Sequence, residues 1–239
     1  MMTHAIAPAQ QTAARVAGLA YLLAFAAVVC AQFGIHERLI VEGNAGQTAR
    51  RILAHQPLFR LGIVCDLGYC VGVVAVLTAL YVILRPVNRQ LALLAAAGRL
   101  IYALMWVLMT LNLFDALRIV NGVDALRVLD AEPSQAWARL NLGARFDQYY
   151  VGLLFCGLAS TVCSYLWYRS GYIPKALAVW GVVASLFCAA CTFAFILSPN
   201  ITAVISLWWF DTPMGLFDIA TSLWLLLVGL RAPLNPERL

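Results

Sequence analysis

PLFRLGIVCDLGYCVGVVAVLTALYVILR, residues 57–85, decides the fold. The stretch is long enough to cross the roughly 30 Å hydrocarbon core of a bilayer, yet it carries Arg60 and Asp66 in its first third. A carboxylate on a lipid-facing helix costs about 2.5 to 3.5 kcal/mol on insertion scales, so Asp66 is expected to face other helices and to have a partner or a wet cavity. Gly68 and Gly72 form a GxxxG pair in the same segment, which would let a neighbouring helix approach the Asp66 region closely.

Composition places the rest of the chain in the same class. Of 239 residues, 63% are hydrophobic and only 11% charged, with a mean hydropathy of +0.85, where soluble domains carry roughly 25% charge. The chain therefore reads as an all-α integral membrane protein. Its formal charge of +5 comes from single cations at segment ends, which suits orientation and headgroup contact and excludes a nucleic-acid surface.

Outward from the opening stretch, the pattern predicts six transmembrane helices in one domain, residues 15–231, between a disordered tail at 1–14 and a short tail at 232–239. The first span, 16–35, is longer than a signal-peptide core, and Val29 precedes Cys30 where a lipoprotein signal would want Gly or Ala, so it is read as uncleaved. Asn44 followed by Gln47 resembles an N-cap with its reciprocal partner and opens a short helix through Ala54, ended by Pro57. Spans follow at 91–114, 149–168, 176–197 and 214–230. A second short helix begins at Pro133 and carries Trp137 and Leu140; like the first, it is expected at the membrane interface. Residues 199–212 are Trp-rich and too short to span, so they are expected to be interfacial or re-entrant. Lys and Arg are densest in the short turns beside Arg85, Arg89, Arg169 and Lys175, which predicts both termini on the cytoplasmic side.

Counted in alternating directions, the polar residues of the spans fall at one depth. Arg60 and Asp66 lie early in span two, Asn112 and Asp115 late in span three, Asp147 and Tyr150 at the start of span four, and Asp218 early in span six. Arg99 is the exception, at the other end. The simplest arrangement is a polar cavity open to the outer face and floored by Asp66. Each member also has a plainer reading: Asp115 and Asp147 as interfacial carboxylates, Asp218 satisfied by Thr221 and Ser222, and Arg60 snorkelling to headgroups or paired with a buried acid.

Nothing points to a metal or a cofactor. His4, His36 and His55 all fall outside the predicted spans, so an intramembrane site built on several histidines is not expected. The seven cysteines lie inside apolar segments and do not form a secreted disulfide framework; Cys188 and Cys191, with two residues between them, have the spacing of a redox pair but read more simply as packing residues.

Taken together, Leu58 to Gly62 with Asp66-Leu67, the turn from Leu84 to Arg89 with the following leucines 91–94, Tyr150-Val-Gly152, and the run from Tyr168 to Lys175 resemble the bacterial domain-of-unknown-function 4386 family. The likeness runs from about Arg15 to Arg231. It implies a six-span bacterial inner-membrane protein and supplies no activity. Where the resemblance leads one to expect Gly-Glu in the last span, this chain has Phe217-Asp218, and where it leads one to expect a span-four His the chain has Ala159-Ser160.

The leading expectation is a binding or transport protein that takes a small polar or cationic solute, with Asp66 as central anion and proton carrier. A membrane enzyme using paired aspartates on a lipid or amphiphile is the alternative, favoured if two carboxylates lie within about 10 Å across an open cleft. An accessory or sensory subunit is the third. Membrane lipids are expected partners, nucleic acid is not, and the sequence leaves oligomerisation open.

Overall fold

The structure, a computed structural model, describes residues 6–41, 44–121, 131–198 and 208–231, with only the backbone for 45, 131–146 and 208. Residues 1–5 of the expected tail, Arg127, Asp130, the stretch 199–207 and the tail 232–239 lie outside the described residues, as do the side chains of Trp137 and Leu140. Among the described residues all regular structure is helical: α1 Pro8–Val29, a π-helical stretch Cys30–His36, α2 Glu37–Leu39, α3 Ala45–Ala54, α4 Gln56–Leu84, α5 Arg89–Val120, α6 Ala131–Ser170, α7 Lys175–Leu197 and α8 Trp208–Leu227. The chain is an all-α polytopic membrane protein. Five of its helical segments are long and apolar enough to cross a membrane, namely Pro8–Leu39, Gln56–Leu84, Arg89–Val120, Asp147–Ser170 and Lys175–Leu197. The sixth expected span, α8, has 20 residues, about 30 Å of helix, but Asp211 and Asp218 dilute its apolar character and it is not among the five.

Helix starts follow local chemistry. Pro8 occupies the first position of α1, where its missing N–H costs nothing, and an Ala-rich turn propagates from it. Half of the expected disordered tail is therefore helix: Ala14 is fully buried, and Gln10 Nε2 donates to the Ile83 carbonyl at 3.1 Å. Asn44 caps α3 as its spacing predicts, Oδ1 accepting the Gln47 N–H at 2.9 Å. The break after α3 falls at His55, not at Pro57, which is the second residue of α4 and is tolerated there. Asn88 caps α5 by accepting the Leu91 N–H at 3.0 Å.

Two expected elements merge with their neighbours. The helix begun near Pro133 runs unbroken into span four as the 40-residue α6, since nothing between Pro133 and Tyr149 stops it. Trp208 to Thr212, expected to be interfacial, already belong to α8, and Pro213 sits inside that helix at the cost of one backbone bond.

The chain divides into two compact units. Unit 1 comprises residues 1–23, 72–103 and 151–239; unit 2 comprises 24–71 and 104–150. The core of unit 1 gathers Ala14, Val76, Leu80, Ile83, Leu166, Trp167 and Leu225. Glycines bring its helices together: a Cβ at Gly18 would lie 2.6 Å from the Ser222 carbonyl oxygen, one at Gly98 would lie 3.0 Å from the Ala159 Cβ, and one at Gly181 would strike Ser164 Oγ and the Phe217 ring. Close backbone approach at small residues replaces the hydrophobic drive that hydrocarbon cannot supply. Unit 2 packs Ile35, Leu39, Ile52, Phe59, Ile63, Leu113 and Leu117.

Candidate functional site

In unit 2, Asp66 is fully buried and its partner is His36, 2% exposed, with Nε2 and Oδ2 2.8 Å apart. Gln32 Nε2 donates weakly to the other carboxylate oxygen at 3.5 Å. Four local features produce this meeting. The first membrane helix continues three residues past His36, so the imidazole lies within the span and not in a loop. The π-helical stretch Cys30–His36 carries Gln32 and His36, four residues apart, towards α4. Gly62 makes room, since a Cβ there would fall 2.9 Å from His36 Cε1 and 3.1 Å from Ile35 Cγ2. Phe59 closes the pocket edge-on, with ring centroids 6.0 Å apart. Gly68, by contrast, is exposed, and among the described residues nothing lies within 4 Å of where a Cβ would be, so the close approach to His36 occurs one and a half turns earlier, at Gly62.

An isolated carboxylate here would be expensive, and so would an isolated imidazolium; together, with a short hydrogen bond, they offset much of each other's desolvation. The neutral imidazole donates its Nε2–H to Asp66, and the imidazolium does the same with an added charge. His36 Nδ1 is buried with no hydrogen-bond partner among the described residues. In the tautomer that donates from Nε2, this nitrogen is the ring's acceptor.

The other expected residues of unit 2 have separate attachments. Arg60 is exposed and forms no ion pair with Asp66, which leaves the snorkelling reading. Asn112 Nδ2 donates to Gln148 Oε1 at 2.8 Å. Asp115 makes a solvent-facing contact with Arg118 at 3.5 Å, one turn along the same helix. Asp147 is exposed, and Tyr150 is half-buried beside the Tyr149 ring.

Asp218 belongs to unit 1, and its surroundings correct the expected depths. The Tyr21 hydroxyl is its hydrogen-bond partner, and Arg99 is close enough to interact with both electrostatically. Arg99, expected at the far end of its span, is 5% exposed; its Nη2 donates to Ser160 Oγ at 2.9 Å and its guanidinium lies 5.4 Å from the centre of the Tyr21 ring. Helix geometry explains the meeting: Arg99 is about 15 Å in from Arg89, and Asp218 about 14 Å from Leu227, both measured from the helix ends nearest the short turns. The extra turn at the start of α8 moves Asp218 from early to middle. Ser160 joins because Leu153, Cys156, Ser160, Cys163 and Trp167 form one buried face of α6.

The two basic groups missed from sequence alone are thus His36 and the inward-facing Arg99, along with the polar partners Gln32, Tyr21 and Ser160. A helix continued to Leu39 would have placed the first inside the span, and counting inward from Arg89 would have placed the second at mid-depth. Among the described residues, no three His, Cys, Asp or Glu side chains gather as metal donors. All seven cysteines are free thiols, Cys188 and Cys191 included.

The chain matches the family described as "Domain of unknown function (DUF4386)" over residues 16–229, and it belongs to that family. No curated protein and no solved structure matches it.

Proposed function

We propose that this member of the domain-of-unknown-function 4386 family binds or moves a small polar or cationic solute, and that the His36–Asp66 pair exchanges a proton for it. The observation that carries the reading is the 2.8 Å carboxylate–imidazole contact with both side chains shut away from solvent. A cation seeking Asp66 competes with His36 for the same oxygens. Its arrival releases the imidazole, and the proton held between the two groups has to leave or move to Nδ1. Solute and proton then exclude one another at one carboxylate, which is the elementary requirement of an exchanger. In this reading Asn112, Asp115, Asp147 and Tyr150 edge the path to the pair, and Asp218 acts separately with Arg99. The polar approach opens on the outer face of a bacterial inner membrane, with both termini cytoplasmic, as the basic turns at 85–89 and 169–175 favour. No observation favours the paired-carboxylate enzyme, since the ionisable group bonded to Asp66 is an imidazole.

Thermal-shift screening of the purified chain against organic cations and neutral polar solutes, followed by uptake into proteoliposomes with an internal pH dye, tests this. Asp66→Asn is expected to lose both cation-induced stabilisation and solute-driven proton movement, whereas His36→Gln retains stabilisation and loses proton movement. If Asp66→Asn responds to every stabilising cation as the parent does, the proposal fails.

A further inference from the structure

The short turn between α4 and α5 forms a groove of about 450 Å³ lined by Tyr81, Arg85, Pro86 and Arg89. It joins two segments able to cross a membrane, so it stands where hydrocarbon gives way to headgroups. Its cations differ from the others at the basic turns of unit 1. Arg169 rests on the Tyr165 ring at 6.0 Å, Lys175 on Tyr168 at 5.9 Å and Arg231 on Trp224 at 4.2 Å. Arg85 and Arg89 are exposed and, among the described residues, their guanidinium groups have neither an ion-pair nor a hydrogen-bond partner. Two unengaged guanidinium forks therefore flank one concave site, beside a half-buried tyrosine that can add a hydroxyl.

We infer that this groove is a binding site for the phosphodiester of an anionic phospholipid. Paired guanidinium groups match phosphate oxygens in geometry as well as charge, and Arg is favoured over Lys where that fork is used. The apolar flanks of α4 and α5 offer a lipid's acyl chains a surface that free phosphate cannot use. The site is independent of the His36–Asp66 pair.

Native mass spectrometry of the full chain in mild detergent tests the inference with three probes: phosphatidylglycerol, phosphatidylcholine of the same acyl chains, and inorganic phosphate. The parent is expected to retain phosphatidylglycerol in preference to phosphatidylcholine. A basic residue near an anionic surface is worth about a factor of five, so Arg85→Gln with Arg89→Gln should reduce that preference about thirtyfold. Arg85→Lys with Arg89→Lys keeps the charge and should keep part of the preference, and Arg50→Gln, exposed on α3, should change nothing. An unchanged preference in the double Gln variant overturns the inference. So does binding of inorganic phosphate through the same two arginines without discrimination between the lipids, which would make this a site for the free anion.

Discussion

Substitution at the His36–Asp66 pair should behave as no independent pair of sites would. Both side chains are at least 98% buried and 2.8 Å apart, so removing Asp66 takes away the hydrogen-bond partner of His36, and removing His36 leaves Asp66 with only the long Gln32 contact. Breaking such a pair costs about 3 to 5 kcal/mol, and Asp66→Leu or His36→Phe should each lower the unfolding midpoint in detergent by about 10 °C in a chain of this length. Asp66→Asn is milder: its amide oxygen still accepts the Nε2–H, and only the charge assistance goes, a difference of about 1 to 2 kcal/mol. The double variant Asp66→Leu with His36→Phe removes both desolvation penalties. It should be less destabilised than the two single changes combined, by about 2 kcal/mol or more. Equilibrium unfolding in mixed micelles, with the four proteins compared as a cycle, measures that coupling. Additive losses would refute the view that the pair folds as one unit.

Gly62→Ala brings a methyl into contact with the imidazole, and it should cost about 1 to 3 kcal/mol by overpacking while weakening the Asp66 bond, seen as an altered His36 ring signal by NMR. Arg99→Met should cost about 3 kcal/mol, since Asp218 loses its nearby cation and Ser160 its donor; adding Asp218→Leu should restore part of the loss in a melting assay. Asn44→Ala removes the α3 cap and should cost about 1 kcal/mol, read as faster amide exchange over the first turn of that helix with the spans unchanged.

Hydropathy made the membrane helices legible, because twenty-residue apolar runs have few other uses, and the Asn44 cap could be read because its partner is three residues away. Local signals of that kind survive in a single sequence. The ends of helices are less visible: Glu37 and Arg38 look like the start of a loop, yet α2 carries the chain on, and that misplacement hid His36. Asp66 announced that it needed a partner without naming one, since the choice among several distant polar groups is made by packing. Gly62 was passed over for the same reason. Its neighbour, His36, is 26 residues away in sequence, whereas the GxxxG spacing at Gly68 and Gly72 is a local pattern, and among the described residues none packs against Gly68. Arg99 and Asp218 were separated because a start of α8 only six residues too late shifted the second by a turn and a half.

The widened turn before Glu37 has a consequence for chain length. Each residue in a helix advances the following side chains by about 100°, so the aim of His36 depends on how many residues precede it as well as on which ones. Inserting a single residue ahead of His36, where the widened turn already accommodates one extra, should swing the imidazole away from α4 while leaving composition and hydropathy almost untouched, whereas deleting one such as Gly34 would let the segment return to ordinary α-helical winding with the ring's aim kept. In this part of the protein an insertion would act as a substitution at a position it never touched.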